Sequence, residues 1–380
     1  MRIALPVRLD IQSAGLREQI EKLPRTPGIY IIHASNQPVH LACTSNLPRR
    51  LFRLLSSSYV GADGRTALIA ARFSAVECWP TGSKLESQLT LYQVAKTYFP
   101  SDYPRRLRLR MPWYVSWTTK DFFPRLMIVN RIPLNSAAFG PFRTRDLAHN
   151  YMHDVLGLSQ LRRCAEALTP SPQHPGCIYG EMSQCLKPCQ GLASEEDYGK
   201  EVSRIAHLLE TNGRKEVDRL SLDRDRAAEA TEFERAAQLH RLIERIKSTT
   251  GTRDDVITDV RTFNGVAVTT DPTGSGARLW PMIAARWQDP IPIVLNSENH
   301  DGKRYNQELL EPLVHLTAHP NRAGKRSEHL ALFARWYYSS WREGEWFSFK
   351  TPETLAYRRV LQSISRAQRS SKPECRAPPL

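Results

Sequence analysis

Four cysteines, Cys164, Cys177, Cys185 and Cys189, fall in the stretch CAEALTPSPQHPGCIYGEMSQCLKPCQG, with twelve, seven and three residues between them. Only Cys43, Cys78 and Cys375 complete the set of seven in 380 residues. Four thiolates can close a structural zinc site or an iron–sulfur cluster, because both take soft sulfur ligands. The spacing fits neither the paired CxxC of a zinc ribbon nor a ferredoxin run. It therefore indicates a thiolate metal site without choosing the metal. The competing reading is a small helical patch whose cysteines are simply buried.

Length and charge set the frame around this centre. A chain of 380 residues accommodates about two to four domains. Lys plus Arg number 53 against 39 for Asp plus Glu, a net charge of +14 and a pI near 9.6. Such an excess favours a polyanion, most simply nucleic acid, over a merely basic soluble surface. The opening MRIALPVRLDIQ has no long apolar run of the signal-peptide kind. No stretch reaches the ~18 apolar residues of a membrane span. An odd number of cysteines without an export signal predicts a cytoplasmic, reducing location and no disulfide framework.

Periodicity places the elements. Leu16, Ile20 and Leu23 have helical spacing. GIYIIH and VHLAC read as two strands of a hairpin around ASNQP. Asn46 caps a helix carrying Arg49, Arg50 and Arg53. RFSAVECW reads as a third strand and KLESQLTLYQVAKTYF as a helix. Residues 98–125 interleave Arg105, Arg106, Arg108, Arg110, Lys120 and Arg125 with Trp113, Tyr114, Trp117, Phe122 and Phe123. Arginines can neutralise phosphates while aromatics stack on exposed bases, unless the aromatics are core. Residues 196–247 are charged and helical, with Phe233, Ala236 and Ala237 on an apolar set. Beyond Thr250, VITDVRTFNGVAVTT, LWPMIAARW and PIPIVLN read as strands, and HLALFARWYYSSW as an aromatic-rich helix. The end, SRAQRSSKPECRAPPL, reads as a disordered tail.

PGIY, a second β run and NLPRRL together resemble a GIY-YIG nuclease domain. Continued through FPRL, FGPF, the cysteine tetrad and a helical hairpin turning near Thr231–Phe233, the order resembles the N-terminal half of the UvrC family of the bacterial ABC excinuclease, over about residues 20–250. The resemblance implies an α+β multidomain chain. It would contain a GIY-YIG-like α/β domain with a short antiparallel sheet (1–104), a basic aromatic connecting segment (105–145), and a cysteine-rich helical metal-binding region (146–195). A UVR antiparallel hairpin (196–250), a β-rich α+β domain (251–350) and a disordered basic tail (351–380) would follow. It implies a 4Fe-4S cluster on Cys164, Cys177, Cys185 and Cys189, with zinc the alternative. It also implies docking through Phe233, Ala236 and Ala237 to UvrB, the helicase-like component of the excinuclease. DNA would be the substrate, in nucleotide excision repair. Arg49, Arg50, Arg53, Arg105, Arg106, Arg108, Arg110 and Arg125 are the candidate phosphate contacts.

The nuclease chemistry needs a base for water, a cation at the phosphate and a carboxylate for a metal ion. Tyr30 stands at the first tyrosine of the motif and Arg50 at its arginine. His40 falls at the second tyrosine, Ala42 at a glycine and Cys43 at a lysine. Glu86 matches an earlier glutamate of the helix, which puts Leu91 at the metal position. A leucine cannot ligate magnesium. Tyr30, His40 and Arg50 are therefore expected as a remnant. The expected function is a UvrC-like DNA-binding protein with impaired cleavage. The alternatives are an active Mg-dependent endonuclease and an iron–sulfur redox sensor on DNA.

Overall fold

The chain is described by a computed structural model for residues 5–13, 15–35, 37–55, 73–119, 121–134, 136–251, 256–271, 276–293, 302–320 and 325–370. It divides into two compact units, residues 1–110 with 264–380, and residues 111–263.

In the strand Gly28–Ala34 the side chains alternate between two apolar layers. Ile29 and Ile31 pack with Trp79 and Val94, whereas Tyr30 and Ile32 pack with Leu47, Leu51 and Val76. A strand sends successive residues to opposite faces, so this alternation buries both sides of one sheet. The sheet comprises β1 (Val7–Asp10), β2 (Gly28–Ala34), β3 (Gln37–Thr44) and β4 (Ala75–Pro80), in the antiparallel order β1-β4-β2-β3. One face is covered by α1 (Leu16–Glu21) and α2 (Leu47–Leu55), the other by α3 (Lys84–Tyr98), with α4 (Tyr103–Leu107) after it. Asn46 caps α2, its Oδ1 accepting from the Arg49 N–H at 3.0 Å. Ser83 caps α3, accepting from Glu86 N–H at 3.1 Å. Gly28 is required because a Cβ there would stand 2.6 Å from the Trp79 carbonyl oxygen.

The second unit begins with β5 (Trp113–Trp117), β6 (Leu126–Val129) and β7 (Ala138–Phe142), then α5 (Arg145–Gly157). The connecting segment expected over 105–145 is thus no linker. Residues 111–145 build an antiparallel sheet, while 105–110 stay with the first unit. Tyr114, Trp117 and Phe123 are buried in it, so the core reading holds for them, and Phe122 alone of the set is largely exposed. Lys120 lies outside the described residues. Next come the one-turn helix α6 (Ile178–Glu181), a 3₁₀ turn at Pro188–Gln190, α7 (Glu195–Thr211), α8 (Arg214–Glu229) and α9 (Phe233–Gly251). β8 (Thr258–Asp259) returns to pair with β7. Helices α8 and α9 form the expected hairpin. Its turn has Thr231 at φ 57° and Glu232 N–H donating to the Ala227 carbonyl at 2.8 Å. The hairpin's base is apolar, with Leu220, Ile243 and Ile246 packed on Leu158 and Leu208.

The first unit resumes with β9 (Gly265–Thr270), β10 (Ala277–Ile283), β11 (Arg286–Trp287) and β12 (Ile291–Ile293), then α10 (Gly302–Ala318), α11 (Arg326–Tyr337) and β13 (Glu345–Ser348). The sheet order is β11-β10-β9-β13, with β12 also on β10. The strands read beyond Thr250 are present, but they are not a separate body. The Glu328 carboxylate of α11 accepts from the Tyr92 hydroxyl at 2.7 Å and the Tyr103 hydroxyl at 2.8 Å. Arg278 of β10 pairs with Glu86 of α3, and with Asp271 at 2.7 Å. The tail expected over 351–380 also needs correction. Helix α12 (Tyr357–Ser370) puts Val360 and Ile364, both fully buried, into the core with Val266 and Leu279. Residues 371–380, including Cys375, lie outside the described residues.

Candidate functional site

Strand pairing decides which motif positions meet. In the β2–β3 register Tyr30 faces Ala42 and Ile32 faces His40, on the α2 side of the sheet. The helix then brings Arg50 back over that layer, where its Nε–H donates to the Tyr30 hydroxyl at 3.1 Å. The Tyr30 and His40 ring centroids are 6.1 Å apart. His40 is held below its ordinary pKa, first by partial desolvation and then by the cations of Arg50 and Arg106. It is therefore a neutral imidazole at neutral pH, able to accept a proton. Tyr30, His40 and Arg50 form one group.

Cys43 lies opposite Ile29 in the register, on the other face of the sheet. With Leu91 it lines a cavity of about 260 Å³, walled also by Pro27, Leu107, Leu332 and Trp341. Cys43 and Leu91 thus share one hollow, apart from Tyr30 and Arg50. Among the described residues no acid enters that lining. Glu77 is buried elsewhere, accepting from the Tyr98 hydroxyl at 2.6 Å and lying 3.3 Å from His33 Nε2 and 3.4 Å from Arg8. Glu86 accepts from the Gly82 N–H at 2.8 Å and pairs with Arg278. Desolvation pushes its pKa up, against the pull of Arg278.

The cationic residues divide between the units. In the first, Arg49, Arg53, Arg105, Arg106, Arg108 and Arg110 are exposed. Arg106 is already engaged, paired with Asp102 at 3.0 Å and stacked 4.0 Å over the Phe99 ring. In the second unit Arg125 is half-buried and its side chain donates to the neighbouring Leu126 carbonyl at 3.5 Å.

In the cysteine region, Cys185 and Cys189 are buried, Cys164 is half-buried and Cys177 is exposed at the start of α6. Burial raises the thiol pKa of Cys185 and Cys189, and the neighbouring thiols raise each further. The four thiols thus lie near enough to perturb one another's ionisation. Among the described residues, however, no three His, Cys, Asp or Glu side chains stand in the closed grouping of an ion site. Sequence reasoning missed Arg162. It is 2% exposed, donates to Asp121 at 2.8 Å and to the carbonyls of Phe123, Cys164 and Glu166, and sits 3.9 Å from the Cys164 sulfur. A lone Arg two residues before a cysteine carries no local pattern that marks it.

At the hairpin, Phe233 is 70% exposed, Ala237 is exposed and Ala236 is half-buried. No helix among the described residues is long and apolar enough to cross a membrane.

Residues 112–208, the sheet, α5 and the cysteine region, match the family model described as UvrC/Cho excinuclease, middle domain. The chain is 28% identical over 257 residues to the UvrABC system protein C of Alcanivorax borkumensis, covering 64% of this chain and 41% of that protein. It is 26% identical over 262 residues to the same-named protein of Bacteroides fragilis, covering 66% and 42%. The match to that of Methanosphaera stadtmanae is 26% over 232 residues, covering 60% and 38%. The chain therefore spans about two fifths of the length of these curated relatives. No solved structure is significantly similar to the chain.

Proposed function

We propose that this chain is a cytoplasmic UvrC-like DNA-binding protein of nucleotide excision repair, whose GIY-YIG-like module holds phosphate but cuts poorly or not at all. The observation that carries this reading is the apolar cavity at the positions matched to a lysine and a metal-binding glutamate. Cys43 and Leu91 line it, and among the described residues no carboxylate does. Magnesium takes hard oxygen ligands; Glu77 and Glu86 are tied to other partners, and Glu343, beside the lining, is paired with Lys84 at 3.5 Å. Arg50 retains a place beside the Tyr30 hydroxyl, where a cation and a phenol can grip a phosphate oxygen. By resemblance Cys164, Cys177, Cys185 and Cys189 would hold an iron–sulfur cluster, although in the structure they are not gathered into an ion site. The α8–α9 hairpin, with Phe233 exposed, docks a UvrB-type partner.

The test is incubation with nicked, bubble and lesion-bearing duplexes plus Mg²⁺ or Mn²⁺, with and without a UvrB-type protein. Binding without strand cleavage is the expected result. Robust metal-dependent incision, lost on Tyr30→Phe or His40→Ala, would overturn the reading and identify an active endonuclease.

A further inference from the structure

Helix α10 buries Leu309 and Leu313 in the core of the first unit and packs Leu316 against it. Its other side carries Glu311, His315 and His319, all exposed. Helical side chains four apart lie on one face. The last turn keeps that spacing to His319, whose N–H donates to the His315 carbonyl at 2.9 Å. The two imidazole rings have converged, with centroids 5.4 Å apart. Two rings bound through nitrogen at ~2.0–2.1 Å to one tetrahedral ion have centroids about 5 Å apart. The pair is therefore close to the geometry of a chelate. Among the described residues neither side chain has a hydrogen-bond or ion-pair partner, so no protein group competes for the ring nitrogens. The same spacing recurs at His149 and His153 of α5, where His153 lies 3.9 Å from Asp154. Of the two pairs, the one on α10 is in ring contact. It also sits at a helix C-terminus, where unpaired carbonyls and the helix dipole favour a cation.

We propose that His315 and His319 chelate a divalent transition-metal ion of the zinc and nickel class, with water on its remaining positions. Imidazole suits these ions, whereas magnesium and calcium take oxygen ligands. Glu311 is two turns from His319, roughly 12 Å along the axis, and stays outside a site held by both rings. A two-ligand clamp agrees with the lack of any grouping of three His, Cys, Asp or Glu among the described residues. The bound ion ties the last turn of α10 together. Neither DNA nor the cysteine region, which belongs to the other unit, takes part.

The probe is Ni²⁺, titrated into the full chain by equilibrium dialysis. Wild type and His315→Ala with His319→Ala are compared in one buffer, so that the cysteines contribute equally to both. Wild type should hold one more saturable Ni²⁺ per chain than the double variant. Each single substitution should weaken that ion at least tenfold, since losing a mere supporting group already costs roughly 10–100-fold in metal affinity. Both positions are exposed and alanine favours a helix, so the variants should melt like wild type. His315→Ala with Ala318→His keeps two histidines but makes them adjacent, and adjacent positions do not face each other. That variant should not regain the ion. A second readout is the rate at which diethyl pyrocarbonate modifies His315 and His319, followed by peptide mass spectrometry. Ni²⁺ should slow both, and acid should undo the protection, because only neutral imidazole ligates. Equal Ni²⁺ binding by wild type and the double variant, recovery in the adjacent pair, or unprotected histidines would overturn the site.

Discussion

Arg162 donates to Asp121 at 2.8 Å across 41 positions of sequence, and this pair pins the start of the cysteine region to the sheet of the same unit. Three more donors of the guanidinium are spent on the Phe123, Cys164 and Glu166 carbonyls. The backbone N–H of Arg162 donates to the Tyr198 hydroxyl, which itself donates to the Pro124 carbonyl at 2.9 Å. A planar fork with several donors meets this set where a lysine cannot.

Removing Arg162 leaves buried acceptors without donors. Arg162→Leu is expected to cost about 3–5 kcal/mol of unfolding free energy, measured by urea denaturation, as breaking a buried ion pair does. Arg162→Lys should recover only part of it. Asp121→Asn should cost less, because its side chain is 35% exposed and water can replace it. An Arg162→Leu protein of unchanged stability would show that the network is incidental.

The tetrad can be read out by metal content. Protein purified without oxygen should be brown and carry about four irons per chain if the cluster implied by the resemblance forms. Colourless protein with tightly bound zinc would select the alternative, and metal-free protein would remove both. Serine at Cys164, Cys177, Cys185 or Cys189 should lower the metal content, while serine at Cys43 or Cys78 should not. The Cys78 thiol is buried and pushed up to about 12 by desolvation, so it should resist alkylation until the chain unfolds.

Phe233 offers a clean separation of docking from folding. Its side chain is 70% exposed, so truncation leaves no core cavity. Phe233→Ala should weaken binding of a UvrB-type hairpin by roughly 1–3 kcal/mol, as losing an aromatic anchor does, with a melting temperature near wild type. Unchanged affinity in a pull-down or calorimetric titration would leave the hairpin a structural element only.

Local signals in the sequence carried the local structure. β-rich runs bounded by turn formers announced β2, β3 and β9, and Asn46 announced the start of α2. The positions of Tyr30, His40 and Arg50 could be matched because they lie within twenty residues of one another. What escaped depends on contacts remote in sequence. Glu328 meets Tyr92 across 236 positions, and no periodicity encodes such a pairing. The same return of the chain supplies Leu332 and Trp341 to the cavity, so the cavity was invisible too. Helix α12 was missed for a different reason. Its stripe of Tyr357, Val360, Leu361, Ile364 and Ala367 is overlaid by arginines and followed by a basic, proline-bearing end, and that composition outweighed the spacing.

His329 makes the fold acid-sensitive. It is buried, and its Nδ1 accepts from the Trp287 N–H at 2.9 Å, which requires the neutral ring. Burial first, then surrounding cations that include Lys96 and Arg286, lower its pKa to about 3. The unfolded chain takes up a proton near pH ~6.5 while the folded chain resists until near its own pKa. Its contribution is therefore fully present above the unfolded value of ~6.5 and is lost as pH falls from there towards about 3, by up to about 1.4 kcal/mol per unit. His329→Gln keeps an acceptor for the Trp287 N–H without titrating. Urea unfolding from pH 7 to 4 should show a shallower acid decline in that variant, and identical slopes would exclude this histidine as the cause.

The arginines after α4 should differ from one another in DNA binding. Arg106 already holds Asp102 and lies on Phe99, so its guanidinium gives up existing contacts to meet a phosphate. Among the described residues no ion pair occupies Arg108 or Arg110, and both are exposed. Each phosphate contact contributes about 0.9 to the slope of log K against log salt on duplex DNA. Arg108→Ala with Arg110→Ala should therefore flatten the slope by about 2, measured by fluorescence anisotropy between 50 and 200 mM salt. Arg106→Ala alone should change it by well under one unit. Arg125→Ala should leave it unchanged, because that side chain is turned to the Leu126 carbonyl. A slope untouched by the double substitution would move the phosphate contacts away from this segment, and Arg49 and Arg53 on α2 would be the next pair to replace.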